Sequence, residues 1–282
     1  MDSVLVLIAA PGSGAISDAL AEKLAPARWL APGAALECDA ALEHTARGLC
    51  AALPIDVNVV PQTNRKKRVL LADMDSTMIQ QECIDELGVM AGVGDYIKDI
   101  TARSMRGELD FEGALKERVG LLKGLDAAVI ATLIRERITF MPGGAALLNT
   151  MKADGAYCAL VSGGFTAFTS HVAGTLGFDE HRANTLLIEA DRLTGEVALP
   201  ILGKDAKVEA LQQIVRDQGL SSADVIAVGD GANDIPMLQA AGMGVALHAK
   251  PKVQEQARYK INHGDLTALL YLQGYRKSDF AA

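Results

Sequence analysis

In the stretch RVLLADMDSTMIQQE, residues 68–82, a short apolar run ends in two carboxylates two positions apart, Asp73 and Asp75. Ser76 and Thr77 follow at once, and Glu82 comes a little later. Like charges this close repel, so the pair calls for a cation or for a chemistry that uses both. In an open α/β sheet, ligands bind beyond the carboxyl ends of the strands, and other apolar runs in this chain end in a similar way. Ser162, Gly163 and Gly164 follow Tyr157–Val161; Gly229, Asp230, Gly231, Asn233 and Asp234 follow Val225–Val228. Asp73, Asp75 and Asp230 are hard oxygen donors without a His/Cys set, which favours magnesium over zinc. Ser162 and the N–H groups of the glycines after it, ahead of a helix around TAFTSHVAGTL, suit an anion. Together these groups describe a magnesium-dependent phosphoryl-transfer site.

Two cations join the argument through helical periodicity. AKVEALQQIVRDQG places Val208, Leu211, Ile214 and Val215 on one face, with Gly219 as a stop. Lys207 then falls in the first turn, where the helix dipole disfavours a cation and a bound phosphate reverses that cost; Lys204 is its rival. In DFEGALKERVGLL, Phe111, Leu115, Val119 and Leu122 share a face, and Arg118 lies on it. A guanidinium there calls for a partner, and a bidentate carboxylate supplies one. The five histidines fall outside these motifs and are assigned no role.

The elements that must position these residues follow from the apolar runs. Val69–Ala72, Tyr157–Val161, Val225–Val228 and Val245–Leu247 alternate with helical patterns, as in a parallel sheet covered on both faces. Residues 81–139 have helical periodicity and form a helical cap inserted after the first strand, a lid over the sheet edge. The core then comprises 66–80 and 140–282. TLLIEADRLTGEV reads as a hairpin or meander. PQTNRKKR, residues 61–68, is a composition break and reads as a linker. Before it, residues 1–62 alternate strand and helix patterns in a small α/β or α+β module without a chemical motif. Regulation, dimerisation and structural support all fit that module. The fold class is therefore α/β: a Rossmann-like parallel sheet with helices on both faces, a cap, and the small amino-terminal module.

Composition bounds the partners. The chain has 282 residues, half of them apolar, and a formal net charge of −8. That disfavours nucleic acid and anionic membranes while leaving room for a small anionic substrate in a locally basic site. The cysteines at 38, 50, 83 and 158 form no CxxC pair and suit a reducing compartment. No apolar run approaches the roughly 20 residues of a membrane span, and the start lacks the basic residues of a signal peptide. A soluble cytoplasmic protein is expected.

The ordered set Asp73-Met-Asp75-Ser76-Thr77, Ser162-Gly163, Lys207 and Gly229-Asp230-Gly231-Ala232-Asn233-Asp234 resembles the haloacid dehalogenase superfamily of phosphatases. DSTMIQQECIDELG, MRGELDFEGALKERV and LVSGGF resemble its phosphoserine phosphatases, over roughly residues 66–275. The resemblance implies hydrolysis of O-phospho-L-serine, the last step of serine biosynthesis, with Mg2+. Asp73 would be the nucleophile and Asp75 the acid and then the base, with the Asp75 carbonyl and the Asp73 and Asp230 carboxylates on the metal. Ser162, the Gly163 N–H and Lys207 would hold the phosphoryl oxygens. Asn233 would position phosphate or substrate, and Asp234 would orient Lys207 or a metal-bound water. Glu82 would meet the substrate ammonium and Arg118 its carboxylate, under apolar cover from Phe111 and Met105. Another small phosphorylated metabolite, or transfer to an alcohol in place of water, would use the same acid and base.

Overall fold

The computed structural model describes residues 3–105 and 108–281, leaving out the side chains of Ser104 and Met105. Met105, expected as apolar cover, therefore has its side chain outside the described residues. Along the chain, β1 (Ser3–Ala9), α1 (Asp18–Lys23), β2 (Ala27–Ala31), β3 (Ala35–Asp39), α2 (Glu43–Cys50) and β4 (Ile55–Pro61) come first. Next are β5 (Val69–Ala72), α3 (Cys83–Met90), α4 (Gly94–Met105), α5 (Phe111–Gly120) and α6 (Ala128–Glu136). They precede α7 (Gly144–Ala153), β6 (Tyr157–Phe165), α8 (Thr166–Leu176), β7 (Glu180–Asn184), β8 (Leu186–Glu189), β9 (Arg192–Val197) and α9 (Lys204–Asp217). β10 (Val225–Gly229), α10 (Ile235–Ala240), β11 (Met243–Leu247), α11 (Pro251–Gln256), β12 (Tyr259–Ile261) and α12 (Ala268–Leu272) complete the order.

Six strands form one parallel sheet in the order β12-β11-β10-β5-β6-β7. Its side chains alternate between two cores. Leu70, Ala72, Cys158, Leu160, Ile226 and Val228 join Leu147, Phe168 and Val172 from α7 and α8 on one face. Val69, Leu71, Ala159, Val161, Val225 and Ala227 join Leu211, Ile214, Met237 and Leu238 from α9 and α10 on the other. Burial on both faces is why these strands read as unbroken apolar runs. The edge strands did not: β7 is EHRAN and β12 has three residues.

α3 to α6 lie between β5 and β6 in the chain, and the entry and exit of this helical segment pair with each other. Ile79 bridges Phe140, the Gln80 N–H donates to the Thr139 carbonyl, and the Met141 N–H donates to the Met78 carbonyl. β8 and β9 form the expected hairpin, with Ala190 and Asp191 both at positive φ (48° and 60°), as a tight two-residue turn requires. That hairpin also docks on the helical segment, through Gly124 N–H to Leu193 carbonyl and Leu193 N–H to Leu125 carbonyl bonds.

The amino-terminal sheet is antiparallel, in the order β2-β3-β1-β4. Period-2 alternation sends Leu5, Leu7 and Ala9 of β1 against Leu20, Leu24 and Cys50 of its own helices. Val4, Val6 and Ile8 point the other way, into the core that holds Leu266, Leu269 and Tyr271 around α12. The sheet is thus covered on both faces, one of them by the carboxyl-terminal part of the chain. The basic stretch before β5 is pinned rather than loose. Arg65 pairs with Glu37 at 2.8 Å and donates to the Leu272 and Tyr271 carbonyls, and buried Lys67 donates to the Asn64 and Ala223 carbonyls. Among the described residues, no helix is long and apolar enough to cross a membrane.

Candidate active site

Parallel pairing brings three strands to one level, where β5 ends at Ala72, β10 ends at Gly229 and β6 runs on past its last β5 pair at Leu160. Ala72 of β5 faces Val228 of β10 on one side and Leu160 of β6 on the other. The next residues, Asp73, Gly229-Asp230 and Val161-Ser162, therefore emerge together at the carboxyl edge of the sheet. Beyond Asp73 the chain turns tightly: Ser76 takes a left-handed φ of 55°, and the Met74 carbonyl accepts N–H bonds from Thr77, Met78 and Ile79.

Lys207, in the first turn of α9, is fully buried between carboxylates. Its Nζ lies 2.6 Å from Asp73 Oδ1 and 2.6 Å from Asp234 Oδ1. Burial opposes its charge, but Asp234 and Asp73 outweigh burial and hold the ammonium above its usual range. Lys204, the rival in sequence, is exposed. The second oxygen of Asp234 accepts the Gly231 N–H at 3.0 Å. A side chain at Gly229 would collide with the Asp234 carboxyl, so glycine is what allows this approach.

Asp75 is held from the helical segment. Its Oδ1 accepts the Cys83 N–H at 2.9 Å, at the start of α3, and its Oδ2 lies 3.5 Å from the Ser162 hydroxyl. Burial pushes the Asp75 carboxyl up. Ser162 Oγ also accepts the Gly164 N–H at 2.9 Å, and a Cβ at Gly164 would sit 2.6 Å from Asp75 Oδ2. Glu82 is exposed and accepts the Ser76 hydroxyl at 2.7 Å. The surrounding protein and then Asp75 push its carboxyl up to about 7.

Arg118, half-buried on α5, donates Nε to the Ala114 carbonyl at 3.2 Å. Burial lowers its pKa against the pull of Asp85, Glu82 and Asp75 in that order, yet no carboxylate among the described residues is within ion-pair distance. The expected bidentate partner is thus not a side chain among the described residues, and Asp85, not Glu82, is its strongest electrostatic neighbour. The Phe111 ring lies against Gly163 and Gly203, beside Ser162 of β6. Asn233 is half-buried, with Oδ1 against Gly231.

The metal question turns on donor chemistry. Carboxylate oxygens of Asp73, Asp230 and Asp234 lie within 4.8 Å of one another, and all three residues are buried. Asp234 already serves Lys207 and Gly231, whereas the Asp230 carboxylate has no hydrogen bond among the described residues. Burial and Asp234 push Asp230 up to about 6. Three buried acids share one buried ammonium, so a hard divalent cation fits the surplus negative charge.

Sequence reasoning missed two residues, Cys83 and Lys250. Cys83 supplies the N–H to Asp75; its signal was only its place at a helix start. Lys250 follows β11, the one apolar run whose end was left unread. Its N–H donates to the Asp230 carbonyl at 3.4 Å, and its charge pulls down the carboxyls of Asp230, Glu82 and Asp85. Thr77 Oγ1 is buried without a hydrogen-bond partner among the described residues.

Comparison with known proteins agrees with this geometry. A model of haloacid dehalogenase-like hydrolases matches residues 70–239. The phosphoserine phosphatase of Haemophilus influenzae is 45% identical over 204 residues, covering 72% of this chain and 65% of that protein. The chain spans 57–65% of the length of three such curated relatives. A crystal structure of a HAD family hydrolase from Salmonella enterica subsp. enterica serovar Typhi superposes with a TM-score of 0.84 at 32% identity, over 96% of this chain and 97% of that one. A phospho-aspartyl intermediate analogue of phosphoserine phosphatase superposes with a TM-score of 0.69 at 40% identity, over 73% and 98% of the two chains. With the family model spanning more than half of its length, and with its acids and lysine gathered at one sheet edge, this chain belongs to the haloacid dehalogenase-like hydrolases.

Proposed function

We propose that the protein is a phosphoserine phosphatase that hydrolyses O-phospho-L-serine to L-serine and phosphate. The observation that carries the chemistry is the buried Asp73–Lys207–Asp234 array beside Asp75. Relatives named as phosphoserine phosphatases, one of them solved as a phospho-aspartyl intermediate analogue, support the substrate.

Asp73 attacks phosphorus, and the ester oxygen leaves with a proton from Asp75. Burial favours the protonated Asp75 that this step needs. Water then attacks the aspartyl phosphate, Asp75 takes its proton, and Asp73 is regenerated. Lys207 fixes one oxygen of Asp73 and leaves the other without a hydrogen bond among the described residues. Its charge, with the Ser162 hydroxyl and the Gly163 N–H, offsets negative charge on the phosphoryl oxygens. Asp234 is a positioning residue for Lys207, and Asn233 orients phosphate or substrate. Asp73, Asp230 and the Asp75 carbonyl would hold Mg2+, which when bound supplies positive charge against the phosphate and the clustered acids.

At the other end of the substrate, Glu82 receives the ammonium and Arg118 the carboxylate, with Phe111 closing over them and Met105 as further apolar cover. The guanidinium of Arg118, half-buried and without a carboxylate in ion-pair distance among the described residues, supports this assignment, since a desolvated charge needs a partner. On this reading residues 66–80 and 140–282 are the catalytic core, 81–139 the cap and 1–62 the small amino-terminal module. The reaction is placed in the cytoplasm, in keeping with four free, buried cysteines. The test is phosphate release from a panel of small phosphomonoesters, with and without EDTA. Phosphoserine should head the panel; a clear preference for a substrate lacking an amino-acid end would refute the assignment.

A further inference from the structure

Asp56 and Asn58 of β4 are both 4% exposed. A buried carboxylate must be paired or fully hydrogen-bonded, and no ion pair reaches Asp56 among the described residues. It is satisfied instead by three backbone donors from a turn far along the chain: Asn262 N–H at 2.8 Å, His263 N–H at 3.0 Å and Gly264 N–H at 2.9 Å. Ile8 of β1 also faces Gly264, where an added Cβ would lie 3.4 Å from its Cγ2.

The same turn holds His248. Its Nε2 lies 2.8 Å from the Gly264 carbonyl, which can only accept, so the ring carries its proton on Nε2. The His248 N–H donates to the Ile261 carbonyl at 2.7 Å. His248 has a left-handed φ of 46°, a conformation uncommon for residues other than glycine, and its backbone N–H and ring are both held by the 261–264 stretch. Two residues later, the Lys250 N–H donates to the Asp230 carbonyl at 3.4 Å. The Asp230 carboxylate has no hydrogen bond of its own among the described residues, so its backbone sets where it points.

We propose that Asp56 is a remote positioning residue for Asp230, acting through the 262–264 turn and His248 on the 248–250 segment. This rests on the reading of Asp230 as a metal ligand. The amino-terminal sheet is then a buttress of the metal site, not a body free to swing. The Asp56 contacts to the turn and the Lys250 contact to the Asp230 loop are the two ends of one run of hydrogen bonds.

The test uses the full chain and Mn2+ as a probe, titrated by electron paramagnetic resonance, with phosphate release scored separately. Asp56→Asn and His248→Gly should each weaken Mn2+ binding about 5-fold, and the double variant should be no weaker than the worse single one. Asn58→Ala is the control. It removes two bonds between β4 and Lys260 across the same interface, at 2.9 Å each, without touching the 262–264 turn. Its Mn2+ affinity should stay within about twofold of the parent, the residual expected of an uncoupled site. Wild-type affinity in both Asp56→Asn and His248→Gly, or equal weakening in Asn58→Ala, overturns the proposal. Should Asp56→Asn fail to fold, His248→Gly against Asn58→Ala decides it. Absence of Mn2+ binding in the parent protein would instead remove the metal reading of Asp230, and this proposal with it.

Discussion

The ammonium of Lys207 lies 2.6 Å from a carboxylate oxygen of Asp73, residues 134 positions apart in the chain and both sealed from solvent. A lysine in the first turn of a helix is unfavourable by itself; this one is stabilised by two buried acids. Lys207→Met should therefore cut phosphoserine turnover about 100- to 1000-fold, as loss of a charge-stabilising donor does. The measurement is steady-state phosphate release, with a circular dichroism spectrum to show that the fold persists.

Gly164 touches the proposed acid. A methyl group there would lie 2.6 Å from Asp75 Oδ2 and 3.1 Å from Ser162 Oγ. Gly164→Ala should displace the acid and lower kcat for phosphoserine about 100-fold, the scale of a misplacement near 1 Å. p-Nitrophenyl phosphate, whose leaving group needs little protonation, should lose less. Equal losses on both substrates would argue that the whole loop moved.

Arg118 and Glu82 are predicted to act on binding. Arg118→Ala should raise KM for phosphoserine about 10- to 100-fold, the worth of a charge-assisted hydrogen bond. The same variant should scarcely alter p-nitrophenyl phosphate hydrolysis.

The Glu82 carboxyl, pushed up to about 7, gives the same site a pH signature. As pH falls through that value the group gains a proton and loses the charge that attracts an ammonium. For phosphoserine, kcat/KM should fall on the acid side, at or below pH 7 because Glu82 is exposed to water. Glu82→Gln should flatten that limb while lowering the plateau.

Asp230 and Asp234 are close neighbours with different predicted roles. EDTA should abolish phosphate release and excess Mg2+ should restore it. Asp230→Asn should raise the Mg2+ concentration needed for half-maximal activity. Asp234→Asn should instead lower kcat at saturating Mg2+, because its oxygens serve Lys207 and Gly231. A Mg2+ titration of both variants separates the two.

Arg65 predicts stability. It joins Glu37 to the Leu272 and Tyr271 carbonyls, with side-chain exposures of 10% and 11% for the ion pair. Arg65→Ala leaves Glu37 with only the half-exposed Arg28 and should cost about 3 kcal/mol, read from the urea midpoint.

Much of the site was legible in the order of residues. Asp73 and Ser162 stand directly after apolar runs, and Asp75, Asp230 and Asp234 within six residues of them; those runs are apolar because parallel strands buried on two faces have no polar side. Lys207 and Lys204 stayed rivals in the sequence, and α9 begins at Lys204, so both fall in its first turn; burial of Lys207 alone separates them. β7 and β12 were not legible, because an edge strand keeps a solvated side or is too short to show a period. β2 and β3 were likewise missed, because Arg28 in ARWLA and Glu37 and Asp39 in ALECD break their apolar runs.

Tertiary structure alone decided the rest. Sequence could mark Arg118 as a cation on an apolar face, but only packing could show that no carboxylate among the described residues pairs with it. Sequence read residues 61–68 as a linker from their charges. Burial of Arg65 and Lys67 turned those charges inward, onto carbonyls and Glu37 that lie far away in the chain. The same holds for Asp56: one acid in a strand pattern carries no local sign that three N–H groups some two hundred residues later will meet it. Local patterning determines which face a side chain takes; what waits on that face depends on contacts distant in sequence, which no local period encodes.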